Sequence, residues 1–308
     1  MTHFSWKDYK YVDFINYSVH EVNNLPSGVS VSTMCCSAKI GSEININNIM
    51  NFLQLNENDI LTVKMNDTSI KTLLVKKLKK KKKVGTKLQK FYNQITVVVR
   101  ITEGETKDIN TEKCINVKLF KNGSIQMSGC KKIIDVNTVI NKLIYKLTEI
   151  KGKRTPEGIE YINFLEDSTK VNVTNFKIDM INSNYCVNLM IDRSKFYKLL
   201  LQKKIEASFE PCIRACVIIK YLSPFDNPDE KTSSIFIFQK GNIIITGAKS
   251  KNQVNSAYKY VNDIIIEHAD EIAKKNDKDE EETLLNVYKD IIEENKHKLS
   301  AFDLMLST

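Results

Sequence analysis

Arginine is the first scarcity of this sequence: only Arg100, Arg154, Arg193 and Arg214 occur, and lysine supplies most of the positive charge. Lysine is a point charge on a flexible stem, so it attracts polyanions without the planar fork that reads guanine edges bidentately. Histidine is equally rare, and His3, His20, His268 and His297 are scattered and peripheral. No catalytic constellation follows from them, and the chain is not expected to be an enzyme. The seven cysteines form no CxxC pair; Cys212 and Cys216 come nearest to metal-ligand spacing, but they flank Arg214 without a second pair. Reduced, buried thiols are expected, and no metal. A GxxxxGK[ST] loop is missing too, so neither ATP nor another cofactor is expected. No apolar run nears the roughly 18 residues of a membrane-spanning helix. The opening MTHFSWKDYKYVDF carries charge where a signal peptide needs its apolar segment, so a soluble, intracellular chain without membrane or small-molecule partners is expected.

What is present is a basic body with an acidic end. The formal net charge is +9, yet residues 270–308 hold six lysines against eleven acids, leaving the rest strongly basic. Each phosphate neutralised by such a surface releases condensed counterions, which makes nucleic acid the natural partner class.

The most informative feature is an internal repeat. LFKNGSIQMSGCKK at Leu119–Lys132 matches IFQKGNIIITGAKS at Ile237–Ser250 at an offset of 118, with five of fourteen positions identical. Those positions pair Phe120 with Phe238, Gly123 with Gly241, Ile125 with Ile243, Gly129 with Gly247, and Lys131 with Lys249. Each copy predicts a strand ending in Phe, a tight turn, a second strand with alternating faces, and then an amphipathic helix. ITVVVRI at Ile95–Ile101 and VIIKYL at Val217–Leu222 predict a preceding strand in each copy, with a cation at Arg100 or Lys220. Two such units imply an α+β architecture: a curved antiparallel sheet with helices on its convex face and a concave underside. The second copy's outer face, with Phe238, Ile244 and Thr246, is apolar enough to expect a partner.

These residues resemble a known family. FEPCIRACVIIKY at Phe209–Tyr221 and IFIFQKGNIIITGAKS at Ile235–Ser250 resemble the second repeat of the TATA-box-binding protein family, whose pattern is roughly YEPELFPGLIYRM, then LIF.SGK.V.TGAK. VSVSTM at Val29–Met34 and LFKNGSIQMSGCK at Leu119–Lys131 resemble the first repeat. The wording of both is similar to that of TATA-binding-protein-like proteins of giant nucleocytoplasmic large DNA viruses, of the mimivirus kind. The resemblance implies a pseudo-twofold saddle on a widened minor groove with phenylalanine wedges, the family being itself the type example of such binding. Carried over by position, Phe120 and Phe238 are the second wedges, and the first wedges fall at Gln94 and Arg214, with Phe91 a neighbour of Gln94. Gln126, Ser128, Ile244 and Thr246 match groove-facing positions, while Val29 and Val31, then Met180 and Asn182, match the family's central Asn and Val. Lys131, Lys249, Arg100, Lys220 and Arg214 are the implied phosphate contacts, which position without specifying sequence.

The resemblance divides the chain into an extension at 1–27, a first repeat at 28–150, a linker at 151–173, a second repeat at 174–268 and an acidic helical tail at 269–308. The run KKLKKKKK at Lys76–Lys83 reads as a solvated basic loop inserted in the first repeat. Leu284, Leu285, Tyr288, Ile291, Ile292 and Leu299 recur at helical spacing in the tail. Phe4, Trp6, Tyr9, Tyr11, Phe14 and Tyr17 make the amino-terminal extension aromatic. The implied function is a transcription initiation factor on A+T-rich promoter DNA, in the host nucleus or in a cytoplasmic viral factory, with packaging in the virion an option. Phe209, Glu210 and Pro211 would meet a transcription factor IIB-like protein, alongside the RNA polymerase machinery. The rival reading is an interaction scaffold that no longer bends DNA.

Overall fold

A computed structural model describes residues 22–66, 69–74, 93–101, 113–225 and 232–274, with positions 288, 289 and 293. The basic run at 76–83, Phe91 and the amino-terminal aromatic cluster lie outside the described residues.

The first copy runs β1 (Ser30–Lys39), α1 (Ile46–Phe52), β2 (Ile60–Lys64), β3 (Ile70–Thr72), β4 (Gln94–Arg100), β5 (Cys114–Phe120), β6 (Ser124–Cys130) and α2 (Ile133–Thr148). After a hairpin of β7 (Lys151–Thr155) and β8 (Gly158–Ile162), the second copy runs β9 (Thr174–Cys186), α3 (Arg193–Gln202), β10 (Ala207–Ser208), β11 (Cys216–Tyr221), β12 (Ser233–Phe238), β13 (Asn242–Ala248) and α4 (Lys251–Glu267). A short helix, α5 (Ala269–Ile272), follows. All but the hairpin strands join one eleven-stranded sheet in the order β10-β11-β12-β13-β9-β1-β6-β5-β4-β2-β3. Apart from the additional edge strand β3, that order is symmetric about the β9–β1 junction, which is the α+β saddle architecture implied by the repeat.

Alternation dictates which face is covered. Ile95, Val97 and Val99 of β4 and Ile115, Val117 and Leu119 of β5 are fully buried, while their alternate neighbours in the pleat, Gln94, Thr96, Asn116 and Lys118, are not. Against this buried face lies the apolar stripe of α2, with Val136, Val139, Ile140, Leu143 and Leu147 in the same cluster. In the second copy, Ile235, Ile237, Ile243 and Ile245 pack with Ala257, Val261 and Ile264 of α4. Each aliphatic side chain so buried contributes on the order of 1.5–3 kcal/mol, an upper bound against a compact unfolded state. Two cores, one per repeat, therefore carry the sheet from one side, and among the described residues no helix packs on the opposite face.

The segment expected as a linker is more structured than that word suggests. Thr155 and Gly158 close a tight turn that pairs β7 with β8, and Phe164 and Leu165 beyond it are buried in the first core. The tail likewise begins inside the second core: Ile272 is buried, and Asp192 donates its backbone N–H to the Ile272 carbonyl at 2.7 Å. Farther along, Tyr288, Lys289 and Glu293 are helical, and Tyr288 is 61% exposed.

Candidate nucleic-acid interface

Strand pairing fixes how the two halves correspond. β5, β6 and α2 correspond to β12, β13 and α4 at the offset of 118 seen in the sequence. β1 pairs with β6 through Met34–Cys130, Cys35–Ser128 and Ser37–Gln126, and β9 pairs with β13 through Ile181–Ala248, Asn182–Thr246 and Asn184–Ile244. β1 and β9 therefore correspond at an offset of 147, and the paired residues Met34 and Ile181 mark the pseudodyad.

The strand registers correct three readings. The counterparts of Met180 and Asn182 are Thr33 and Cys35, not Val29 and Val31. Val29 precedes β1, donates its N–H to the Pro26 carbonyl at 3.0 Å and packs on both cores; Val31 packs on the first. The bulges between β1 and β9 conceal this shift from a sequence comparison. Likewise, Lys220 pairs with Ser234 and Val98 with Asn116, so Lys220 and Val98 are counterparts, whereas Arg100 corresponds to Leu222. Gln94 faces Phe120 as Cys216 faces Phe238, which makes Gln94 the counterpart of Cys216 and not of Arg214.

On the open face, equivalent ladders differ in chemistry. In the second half, Ile218, Phe236, Ile244 and Asn184 lie side by side across four strands, Ile218 itself being buried. In the first half the same positions are Thr96, Lys118, Gln126 and Ser37. An apolar strip thus faces a polar one across the dyad. Sequence reasoning missed Lys118, Phe236 and Ile218. Period-two spacing from Phe120 and Phe238 would have placed the first two on the wedge face.

Phe120 and Phe238 are half-buried at the ends of β5 and β12. Each precedes a turn closed by the N–H of Gly123 or Gly241 donating to its carbonyl at 3.0 Å. Both glycines have φ near +78°, and an added Cβ would stand 2.3 Å from the Ser42 carbonyl oxygen or 2.2 Å from that of Val187. Only glycine allows that approach, which explains its repetition beside both aromatic residues.

Side chains around the dyad have defined partners. Thr246 donates its hydroxyl to Asn182 Oδ1. Asn184 Oδ1 accepts from Ser30 at 3.0 Å and Ser32 at 2.9 Å. At the mirrored place in the first half, Ser37 donates to Asp179 Oδ1 at 3.0 Å, with Lys177 3.8 Å from the same oxygen. The Cys35 thiol is pushed up by burial and then by the Asp179 charge, with Lys118 opposing.

The basic residues lie around it. Lys131 is exposed and Lys249 half-buried, each just before a helix whose third residue holds the backbone. Asp135 accepts from the N–H groups of Lys131 at 2.8 Å and Lys132 at 2.9 Å, and also from the Lys113 ammonium. Gln253 accepts from the N–H groups of Lys249 and Ser250, and Ser250 closes the capping box. Lys220 is exposed and donates to Ser234 at 2.9 Å, while Arg100 is half-buried and its carbonyl accepts from the buried Lys142 at 3.0 Å. Arg214 ends an exposed turn on which Ile213 is 73% exposed. Glu210 and Pro211 are exposed at the start of that turn, and Phe209 is anchored by Tyr197 at 6.0 Å and by the Arg193 guanidinium at 5.5 Å. Among the described residues no group of His, Cys, Asp and Glu is arranged to hold a metal, and no helix is long and apolar enough to cross a membrane.

The family profile described as "Transcription factor TFIID (or TATA-binding protein, TBP)" matches residues 175–268, which are β9 through α4. Over β9 through α4 the chain is similar to that family. The TATA-box-binding protein-like protein of Acanthamoeba polyphaga mimivirus is 35% identical over 252 residues, a span too long to lie within one repeat, and it covers 77% of this chain. The chain spans 65% of that relative's length. Among solved structures, Methanococcus jannaschii TBP is similar at 17% identity and a TM-score of 0.47, over 78% of this chain and 98% of its own.

Proposed function

We propose that the chain is a DNA-binding transcription initiation factor that lays its open sheet face on the minor groove of A+T-rich promoter DNA. The observation that carries this is the face opposite the helices: a sheet similar over its second half to the TATA-binding-protein family, presenting the half-buried Phe236, Phe238 and Ile244 as an apolar strip on which no helix packs among the described residues, on a basic body. An apolar strip without a protein layer over it needs a partner that is itself flat and dehydratable, such as the edges of A·T pairs lacking the guanine amino group. Phe120 and Phe238 act as wedges that unstack base steps and bend the duplex toward the major groove. Lys131, Lys249, Lys220, Arg100 and Arg214 hold phosphates and fix position. Phe209, Glu210 and Pro211 are offered to a transcription factor IIB-like partner that brings in the polymerase machinery. The site of action is intracellular, wherever the genome is transcribed.

A second reading is favoured by Arg214, which stands where the family carries a wedge: the domain serves as a scaffold for transcription proteins without bending DNA. A fluorescence titration of end-labelled A+T-rich, TATA-containing and G+C-rich duplexes at two salt concentrations separates the two. Tight A+T-selective binding with shortened end-to-end distance is expected; weak, sequence-blind binding that disappears with salt supports the scaffold.

A further inference from the structure

The two mirrored polar clusters beside the pseudodyad are opposites in hydrogen-bonding sense. With β1 and β9 related by an offset of 147, the pair Ser37–Asp179 corresponds to the pair Asn184–Ser32. In the second half, two serine hydroxyls donate to Asn184 Oδ1, as assigned by that network, so the amide nitrogen is the group turned outward. Asn182 is used in the same way: its Oδ1 accepts from Thr246, leaving its amide N–H groups toward the open face. The second half therefore presents donors beside the apolar strip of Phe236 and Ile244.

In the first half the corresponding group is a carboxylate, which can only accept. Asp179 is 29% exposed, and among the described residues both of its polar contacts, Ser37 and Lys177, fall on Oδ1. Oδ2 is left as an acceptor on the open face. Gln126 and Ser124 line the same cleft with Asp179, and Gln126 is exposed.

The minor groove offers acceptors at every pair, and a donor only at the guanine amino group. An acceptor-only carboxylate set against A·T edges meets nothing but acceptors, whereas a guanine amino group gives it a charge-assisted hydrogen bond. Under the second half the logic reverses, because a guanine amino group pressed on Phe236 and Ile244 loses its water and gains no acceptor.

We infer that the DNA element is chemically asymmetric: the half-site under the first repeat contains a G·C pair read by Asp179 with Gln126, and the half-site under the second repeat is uninterrupted A·T. This rests on the proposal that the open face meets the minor groove. The same asymmetry sets the direction in which the domain sits on its element.

The test uses the full chain and A+T-rich duplexes in which a single G·C pair is stepped through the site, each with a twin carrying inosine, which lacks only the amino group. A cleaving chelate on Cys212, in a Cys186→Ser background, reports which end lies under the second repeat; both cysteines are exposed. At one position under the first repeat, guanine is expected to bind about tenfold tighter than inosine, the size of a single base-pair discrimination. Under the second repeat guanine is expected to bind about tenfold more weakly than inosine. Asp179→Asn, which replaces the lone acceptor by the amide found in the other half, should abolish the first-half guanine preference while leaving overall affinity for pure A·T DNA intact or improved. Guanine that weakens binding equally in both halves, or a preference unchanged in Asp179→Asn, overturns the inference with minor-groove binding standing. Failure of every duplex to bind overturns the DNA-binding proposal and the inference with it.

Discussion

Asp135 and Gln253 occupy the same place in the two repeats but carry different loads. Gln253 satisfies two backbone N–H groups at the start of α4, while Asp135 satisfies two at the start of α2 and the Lys113 ammonium as well. Asp135→Ala should therefore cost about 2–3 kcal/mol and Gln253→Ala about 1 kcal/mol, read from urea midpoints at unchanged m-value. The thiols divide in the same local way. Burial pushes the Cys130 thiol up to about 12 and raises that of Cys36 further, whereas Cys186 and Cys212 are exposed. A thiol reacts as its thiolate, so a disulfide reagent at pH 8 should label Cys186 and Cys212 in the folded protein well before Cys36 and Cys130. Labelling of all four at one rate would contradict the buried placement.

At the scale of elements, β12 and β13 differ from β5 and β6 less in backbone than in what they present. Phe238 stands beside Phe236 and Ile244, but Phe120 stands beside Lys118 and Gln126. An aromatic wedge gains most where its neighbours are dehydrated with it, so Phe238→Ala should weaken DNA binding by about 1–3 kcal/mol and Phe120→Ala by less. Titration of both variants against one A+T-rich duplex checks this, and equal losses would remove the functional distinction between the strips. Helix α2 holds a second asymmetry. Lys142 is 1% exposed and donates to the carbonyls of Asn58 and Arg100 at 2.8 and 3.0 Å, tying the helix to the loop before β2 and to the end of β4. Its place in α4 is taken by Tyr260, which stacks on Tyr221 with centroids 4.6 Å apart.

For the whole molecule, a basic body with an acidic end predicts binding that fades with salt. Five proposed phosphate contacts, Lys131, Lys249, Lys220, Arg100 and Arg214, imply a slope of log K against log salt of about −4 to −5. Lys220→Ala should reduce that slope by about one and leave base preference unchanged, since a phosphate contact carries no sequence information. A lost preference with an unchanged slope would reassign Lys220 to base reading.

The repeat, its offset of 118 across two strands and a helix, and the alternation that sends Ile125 and Ile243 inward were legible in the amino-acid sequence. They are local properties: a period of two, a period of 3.6, and glycine at a turn that needs a positive φ. The pairing of β1 with β9 was not legible, because bulges shift the register between strands 147 residues apart and no local signal records them. For that reason Val29 and Val31 stood in for Thr33 and Cys35; Arg100 stood in for the counterpart of Lys220 because the cross-strand register of β4 and β11, which sequence spacing does not record, decides that match. Asp179 was invisible for the same reason. A lone acid in a strand says nothing by itself; only the tertiary pairing, which sets it across from Ser37 and opposite Asn184 about the pseudodyad, makes its charge a feature of the open face.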